Sequence, residues 1–357
     1  MANTPINVRS PRIVTQTGLA NDTTKVELFL WNDPDSIPTN PTYTLEKPIP
    51  STLITEAVYD IAPYCRNYIA HQSYTEVTAD TASPVGEYCF CSVKVYKNGV
   101  LQTGGGSYTY EYICFDGYGY QSEGENPPAA GGVFPDGSQV GAMLTDGSYY
   151  INSVGNSGGV YYHDDQVDTW YAKYTGLQSG ATTTVTLGEE VGYVPYIHSS
   201  YQGEGNKLEF IRDVTTTNTY YFYELDECKY DAINCDFVNK FGAWQRIIFF
   251  KASRSSFEMS NTEYNLMPSD TDYNVLDNVR KVFNVNGMTK ISVNTGWVFE
   301  SYSDVMTQLM LSEKILLDNV PVILDTKSIE LQKNINDKNI NYKMDFKYAA
   351  PKLNYNI

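Results

Sequence analysis

The sequence predicts a mainly β protein of three Ig- or fibronectin-like β-sandwich domains in series, with one amphipathic helix in the last. Three observations predict it. Tyr is unusually frequent, 31 of 357 residues against 14 Phe, and β-branched and aromatic side chains fit a pleated, half-buried surface. Short alternating runs are separated by turn dipeptides throughout. A single window carries a sustained helical period. At about 150 residues per domain the length allows two or three domains.

The first domain is expected over residues 1–120. "PRIVTQTG", "KVELFLWN" and "TYTLEKPIP" read as strands, with "NDPDSIPTNP" as a turn-rich loop. "EAVYDIAPYCRNYI" reads as a strand and then a helical turn after Pro63. "GEYCFCSVKVYKNGVLQ" is a hairpin turning at Asn98-Gly99, and "SYTYEYICFDGYGY" closes the set. Six or seven strands in this span suit a sandwich. "QSEGENPPAAGG", 121–132, reads as a linker or exposed loop, because its Pro and Gly cannot hold a ladder. A second β domain is expected over 133–225, with turns at Asp136-Gly137 and Asp146-Gly147.

The third domain is expected over 226–357. It opens on the hairpin "DAINCDFVNKFGAWQRIIFF", in which Cys235, Phe237, Ile247 and Phe249 fill a core. Phe241 and Trp244, at the turn, either join that core or reach another domain or subunit. "KVFNVNGMTKISVNTGW" reads as a second hairpin turning at Asn286-Gly287. The helix follows near 301–312, with Tyr302, Val305, Met306, Leu309 and Met310 on one face, Ser301 or Ser303 as N-cap and Asp304 in the first turn. It is expected to cover an open sheet of its own domain. In the last strand Tyr342, Met344, Phe346 and Tyr348 face one way, and Lys343, Asp345 and Lys347 the other.

The formal charge of −17 argues against nucleic-acid binding, which needs a basic stripe, and against docking on an anionic membrane. "MANTPINVRS" has no apolar region of a signal peptide, and no run is long and apolar enough to span a membrane. The six cysteines are too sparse for a disulfide scaffold. "CFC" at Cys89 and Cys91 reads as two small buried hydrophobes, which suits folding in a reducing cytoplasm.

Chemistry-bearing patterns are few. His71, His163 and His198 are the only histidines, and none has a nucleophile and acid arranged around it in the sequence. "HDDQVD" offers His163, Asp164, Asp165 and Asp168 as ligands. It lacks the Gly and Glu of a calcium helix-loop-helix loop and reads first as an acidic turn; a structural Ca²⁺ is the ion it would suit. No other cofactor is expected. "QTGGGSY" lacks the following helix and Lys of a phosphate loop. Tyr118 and Tyr120, set among glycines in "DGYGYQSEG", are candidates for stacking on a sugar, for anchoring a protein interface, or for packing on their own sheet. Carboxylate pairs for glycoside hydrolysis have no sequence signature.

Two stretches carry a resemblance. "CDFVNKFGAWQRIIFF" resembles a hairpin of virion structural (tail and baseplate) proteins of tailed phages that infect Bacteroidetes. "VNTGWVFESYSDVMTQLMLSEKILL" followed by "PVILDTKSIELQKNINDKNINYKMDFKYA" resembles the C-terminal segment of the same group. "FDGYGYQSEGENP" is similar to a loop these proteins carry after their first domain. The resemblance implies a non-enzymatic building block of the virion tail, assembled in the host cytoplasm into a homo-oligomeric ring with other virion structural proteins. It carries no catalytic residues. A virion adhesin binding carbohydrate, and a head-to-tail connector or capsid-decorating protein, are the alternatives.

Overall fold

The computed structural model describes residues 4–33, 35–50, 52–71, 74, 77, 81, 86–102, 108–123, 142–143, 145, 149–153, 158–164, 169–225, 229–266, 276, 279–331 and 340–353. The chain is mainly β, with two short α-helices among the described residues. Both expected turns at Asp136 and Asp146 lie outside them, as does most of the 121–132 linker.

In the N-terminal part the strands are β1 (Thr4–Asn7), β2 (Ile13–Thr17), β3 (Thr23–Trp31), β4 (Tyr43–Pro48), β5 (Glu56–Asp60), β6 (Tyr88–Lys97), β7 (Val100–Leu101) and β8 (Tyr110–Phe115). One sheet takes the order β1-β8-β6-β3-β4, with β7 on β6, and β2 and β5 form a separate pair. Helix α1 (Ala62–Tyr68) starts with Pro63 in its first turn, where a missing N–H costs nothing. The main sheet, the β2–β5 pair and α1 enclose one core that includes Val26, Leu28, Val93, Tyr59 and Cys65. Cys89 and Cys91 lie buried in it as free thiols. Asn98 and Gly99 both take positive φ, 49° and 77°, as the primed hairpin turn between β6 and β7 requires.

The next strands are β9 (Ala142–Met143), β10 (Tyr149–Ser153), β11 (Gly159–His163), β12 (Trp170–Gly176), β13 (Thr182–Leu187), β14 (Val191–Pro195), β15 (Asn206–Arg212) and β16 (Thr215–Leu225). They form sheets of order β10-β16-β15-β12-β13 and β14-β11-β9. Here the tyrosines find a use the composition did not single out. Tyr150, Tyr161, Tyr162, Tyr174, Tyr193 and Tyr196 are all buried. Tyr196 stacks on Phe222 with centroids 4.5 Å apart, and Tyr150 stacks on Phe222 at 5.4 Å. Much of the Tyr excess is therefore core, held by aromatic stacking and by hydroxyls bonded inward, such as Tyr174 to the Pro195 carbonyl at 2.9 Å.

The remaining elements are β17 (Ile233–Val238), β18 (Trp244–Phe249), β19 (Arg254–Asn265), β20 (Arg280–Val298), α2 (Tyr302–Leu311), β21 (Ile315–Leu317), β22 (Val320–Leu324) and β23 (Ile340–Tyr348). Their sheet order is β18-β17-β21-β22-β23-β20-β19. In β23, Ile340, Tyr342, Met344 and Phe346 are buried and alternate with exposed residues, while Tyr348 is half-buried. Asn286-Gly287 is no turn: both residues lie inside β20, which pairs with β19. The tip of the Phe257 ring lies over Gly287, so a larger residue there needs that exposed ring to move.

The packing also departs from a serial division at 120, 133 and 226. It resolves into two units. The first is Met1–Asp226 with Asp236–Ile247 and Ser301–Glu313; the second is Glu227–Cys235, Ile248–Glu300 and Lys314–Ile357. Helix α2 thus belongs with the first unit, and does not cover a sheet of a C-terminal domain. The face read from the sequence is the one that decides this. Tyr302, Val305, Met306 and Leu309 are buried, and the Tyr302 ring meets Tyr150 edge-on at 6.0 Å. Ser301 stands at the N-cap without a capping hydrogen bond, and Asp304 occupies the first turn.

Candidate interaction surfaces

The β17–β18 turn is buried from end to end. Every residue from Cys235 to Phe250 is buried. Asn239 organises the turn: its side-chain oxygen accepts the N–H groups of Phe241 and Ala243 at 2.9 and 3.1 Å. Gly242 has φ 78° and sits against the Asp116 and Gly117 backbone, where a Cβ would come within 2.6 Å of Asp116. Only Gly fits both conditions. The Lys240 N–H donates to Gln308 Oε1 of α2 at 3.1 Å, and the Tyr118 N–H donates to the Lys240 carbonyl at 2.8 Å.

The four residues proposed from sequence as interface anchors are therefore brought together, but within the chain. Phe241 is 2% exposed and Trp244 3%. The Trp244 ring meets His71 and Tyr74 edge-on at 6.2 and 6.4 Å, and its backbone N–H donates to the Tyr193 hydroxyl at 2.9 Å. An anchoring role in a neighbouring subunit is excluded for these two side chains in this fold, because their own unit already covers them. Tyr118 is half-buried and meets Tyr120 edge-on at 6.2 Å. Tyr120 remains partly exposed, with the Lys240 ammonium 4.3 Å from its ring centre, so one ring face is taken. Trp244→Ala is expected to cost about 3–5 kcal/mol of stability by leaving a cavity, measured by urea denaturation. A loss under about 1 kcal/mol would contradict the packing.

Two ionic clusters that the sequence did not reveal brace this region. Asp116 takes Arg9 in a fork, at 3.0 and 3.1 Å, with Arg66 at 3.2 Å and His71 at 3.1 Å. Burial opposes its ionisation, but the His71 and Arg9 hydrogen bonds outweigh it and hold the carboxyl well below the usual range. Asp236 and Arg246 form a buried fork at 2.6 and 3.0 Å, with the guanidinium 4.4 Å from the Tyr74 ring centre. The first cluster ties the segments at Arg9, His71 and Asp116 to α1, and the second ties β17 to β18, which is a structural use.

The acidic segment gives no metal centre. Asp165 and Asp168 lie outside the described residues. Asp164 is buried, and His163 is buried with its imidazole lowered to about 4 by desolvation. Among the described residues no group of three or more His, Cys, Asp or Glu is placed to hold an ion. His198 caps a short 3₁₀ turn, accepting the Ser200 N–H at 3.2 Å. A cleft of about 230 Å³ is lined by Thr4, Arg12, Glu111 and Tyr108, Tyr110 and Tyr112, and Arg12 lies 5.0 Å from the Tyr112 ring centre. It holds one carboxylate, so it offers no pair for glycoside hydrolysis. No described helix is long and apolar enough to cross a membrane.

The surface that stands out was not singled out in the sequence. All twelve residues of β19 are exposed, and it ends its sheet. Its partner β20 is exposed over Arg280–Asn284. Phe257 is 60% exposed, Met259 59%, Val282 49%, Phe283 47% and Tyr264 42%. Tyr264 and Phe283 meet edge-on at 5.5 Å, and Glu263 pairs with Arg280 at 3.2 Å. The hairpin thus holds its register by its own cross-strand pairs while presenting apolar side chains and an open strand edge. The sequence signal was the weak alternation in "FEMSNTEYN", too polar to read as a core strand.

No family model matches the chain, and it matches no curated protein. Among solved structures, one described as "Biofilm associated protein - BSP domain" is 9% identical, over 81% of this chain, with a TM-score of 0.20. The match spans 63% of that structure's length, less than two thirds of it. A likeness of that size carries no argument about fold or function.

Proposed function

We propose that the chain is a non-enzymatic structural component of a bacteriophage virion, a tail or baseplate ring protein that works by assembling with copies of itself and with other virion proteins. The observation that carries this is the β19–β20 hairpin. A long, exposed, partly apolar edge strand invites pairing with another chain, and proteins that stay apart blunt such edges. Exposed apolar patches of this kind mark interaction sites. The resemblance of residues 235–250, 293–317 and 321–349 to phage tail proteins supplies the virion setting.

The Tyr-lined cleft favours a second reading, a virion adhesin that stacks a sugar on Tyr110. One experiment separates the two: light scattering of the purified full-length chain at 1–50 µM, with a glycan array on the same sample. Discrete multimers and a blank array are expected. A monomer that binds a host glycan, and loses it in Tyr110→Ala, would overturn the assembly reading in favour of the adhesin.

A further inference from the structure

We propose that Cys89 and Cys114 form a redox-sensitive lock: under oxidising conditions they close a cross-strand disulfide between β6 and β8, within a cluster completed by the thiols of Cys65 and Cys91. The inference goes beyond the assembly reading and does not rest on it.

The fold gathers four of the chain's six cysteines onto one spot. Cys89 and Cys91 share one face of β6. Cys114 lies on β8, and Cys65 lies on α1, which packs against both strands. All four are 0% exposed, belong to one core and are free thiols. Cys89 stands directly opposite Cys114 in the antiparallel ladder. Residues so placed have Cα atoms about 4.5–5.5 Å apart, inside the roughly 4.4–6.8 Å that a disulfide spans. Cys91 faces Tyr112 instead, so the register singles out one pair. The Cys89 thiol also donates to the Cys65 carbonyl at 3.9 Å, which brings α1 to the same place.

The chemistry needs a thiolate and an oxidant. Hydrogen bonds from the Cys114 and Cys91 thiols pull the Cys65 thiol well below its usual range, while burial pushes Cys114 well above. Cys65 is therefore the sulfur that holds a negative charge, and a peroxide is the class of oxidant. The Cys65 sulfur attacks a peroxide oxygen. An S–O bond forms, the O–O bond breaks, and hydroxide leaves as water with the proton that Cys65 released. The Cys114 sulfur then attacks the Cys65 sulfur; an S–S bond forms, the S–O bond breaks, and a second water leaves with the Cys114 proton. Finally Cys89 attacks the Cys114 sulfur, the new S–S bond replaces the first, and the Cys89 proton passes to Cys65. Two thiols and one peroxide give one disulfide and two waters. Access comes through α1, whose seven residues have no side-chain bond at the N-cap. Local opening of so short a helix is a low-cost route for a molecule as small as peroxide. The closed bond ties β6 to β8 and makes this core harder to unfold.

The test treats the full-length chain with hydrogen peroxide in the absence of denaturant and quenches with catalase. The chain is then unfolded in iodoacetamide, digested without reduction and read by tandem mass spectrometry. A Cys89–Cys114 link is expected at least tenfold more often than any other pair, reversed by dithiothreitol, with the urea midpoint of the oxidised chain raised. Cys91→Ala should keep the link and Cys89→Ala should lose it. The proposal is overturned if Cys89 and Cys114 both still take iodoacetamide, end as sulfinic acids or pair with other cysteines. A link that leaves the urea midpoint unchanged would overturn the lock as well. The parent chain alone decides between these outcomes, so a variant that fails to fold does not blunt the test.

Discussion

Asp236→Ala is expected to be among the most damaging single substitutions in the chain, costing about 3–5 kcal/mol. Asp236 is fully buried, and its carboxylate takes Arg246 in a fork at 2.6 and 3.0 Å. Arg246 is itself 4% exposed. Removing the carboxylate strands a guanidinium where water cannot reach it, and that desolvation cost dominates the effect. Removing both charges is a different experiment. Asp236→Ala with Arg246→Met should recover part of the loss, because it removes both buried charges together. Urea denaturation followed by Trp fluorescence measures all three chains. A single mutant within about 1 kcal/mol of the parent would mean that the pair is hydrated in solution.

Glu87→Gln is expected to change how stability depends on pH. Burial raises the Glu87 carboxyl from 4.5 to about 7, although hydrogen bonds from the Tyr193 hydroxyl, at 2.7 Å, and the Trp244 N–H work against the rise. Between those two values the folded chain holds a proton that the unfolded chain has released. The associated stability is complete below pH 4.5, is lost as pH rises through about 7, and stays lost above it. A shift of this size corresponds to about 3 kcal/mol across the window. Glu87→Gln keeps a neutral side chain of the same length. Its stability should be close to that of the parent at pH 4.5 and above it at pH 8. The difference between the two chains isolates Glu87 from other titrating groups. Parallel pH profiles for parent and variant would contradict the burial of a neutral carboxyl.

The legible part of the fold was local. Pro63 placed α1, Asn98-Gly99 placed a hairpin turn, and the alternation read from Tyr342 to Tyr348 placed the buried face of β23 at Tyr342, Met344 and Phe346, though not at Tyr348. Each is set by neighbours a few residues away. The helical face at Tyr302, Val305, Met306 and Leu309 was legible too, but what it packs against was not. That depends on Tyr150 and Lys240, far away in sequence. Asn286-Gly287 misled for the same reason. The dipeptide suits a turn, while here Gly287 makes room for the Phe257 ring of the adjacent strand. Phe241 and Trp244 illustrate the limit at the candidate site. An apolar residue at a turn has the same sequence signature whether its pocket lies in its own chain or in another. The structure puts both in their own chain and leaves the exposed apolar surface on β19 and β20.

The central claim is that this chain is a repeated part of a virion, and the most direct test is to count it there. Tailed particles produced from the genome that encodes the chain would be purified through a density gradient and analysed by quantitative mass spectrometry against a labelled standard of the full chain. The account predicts a fixed number of several copies per particle, unchanged after further purification. A chain found in the host lysate but absent from purified particles would contradict it.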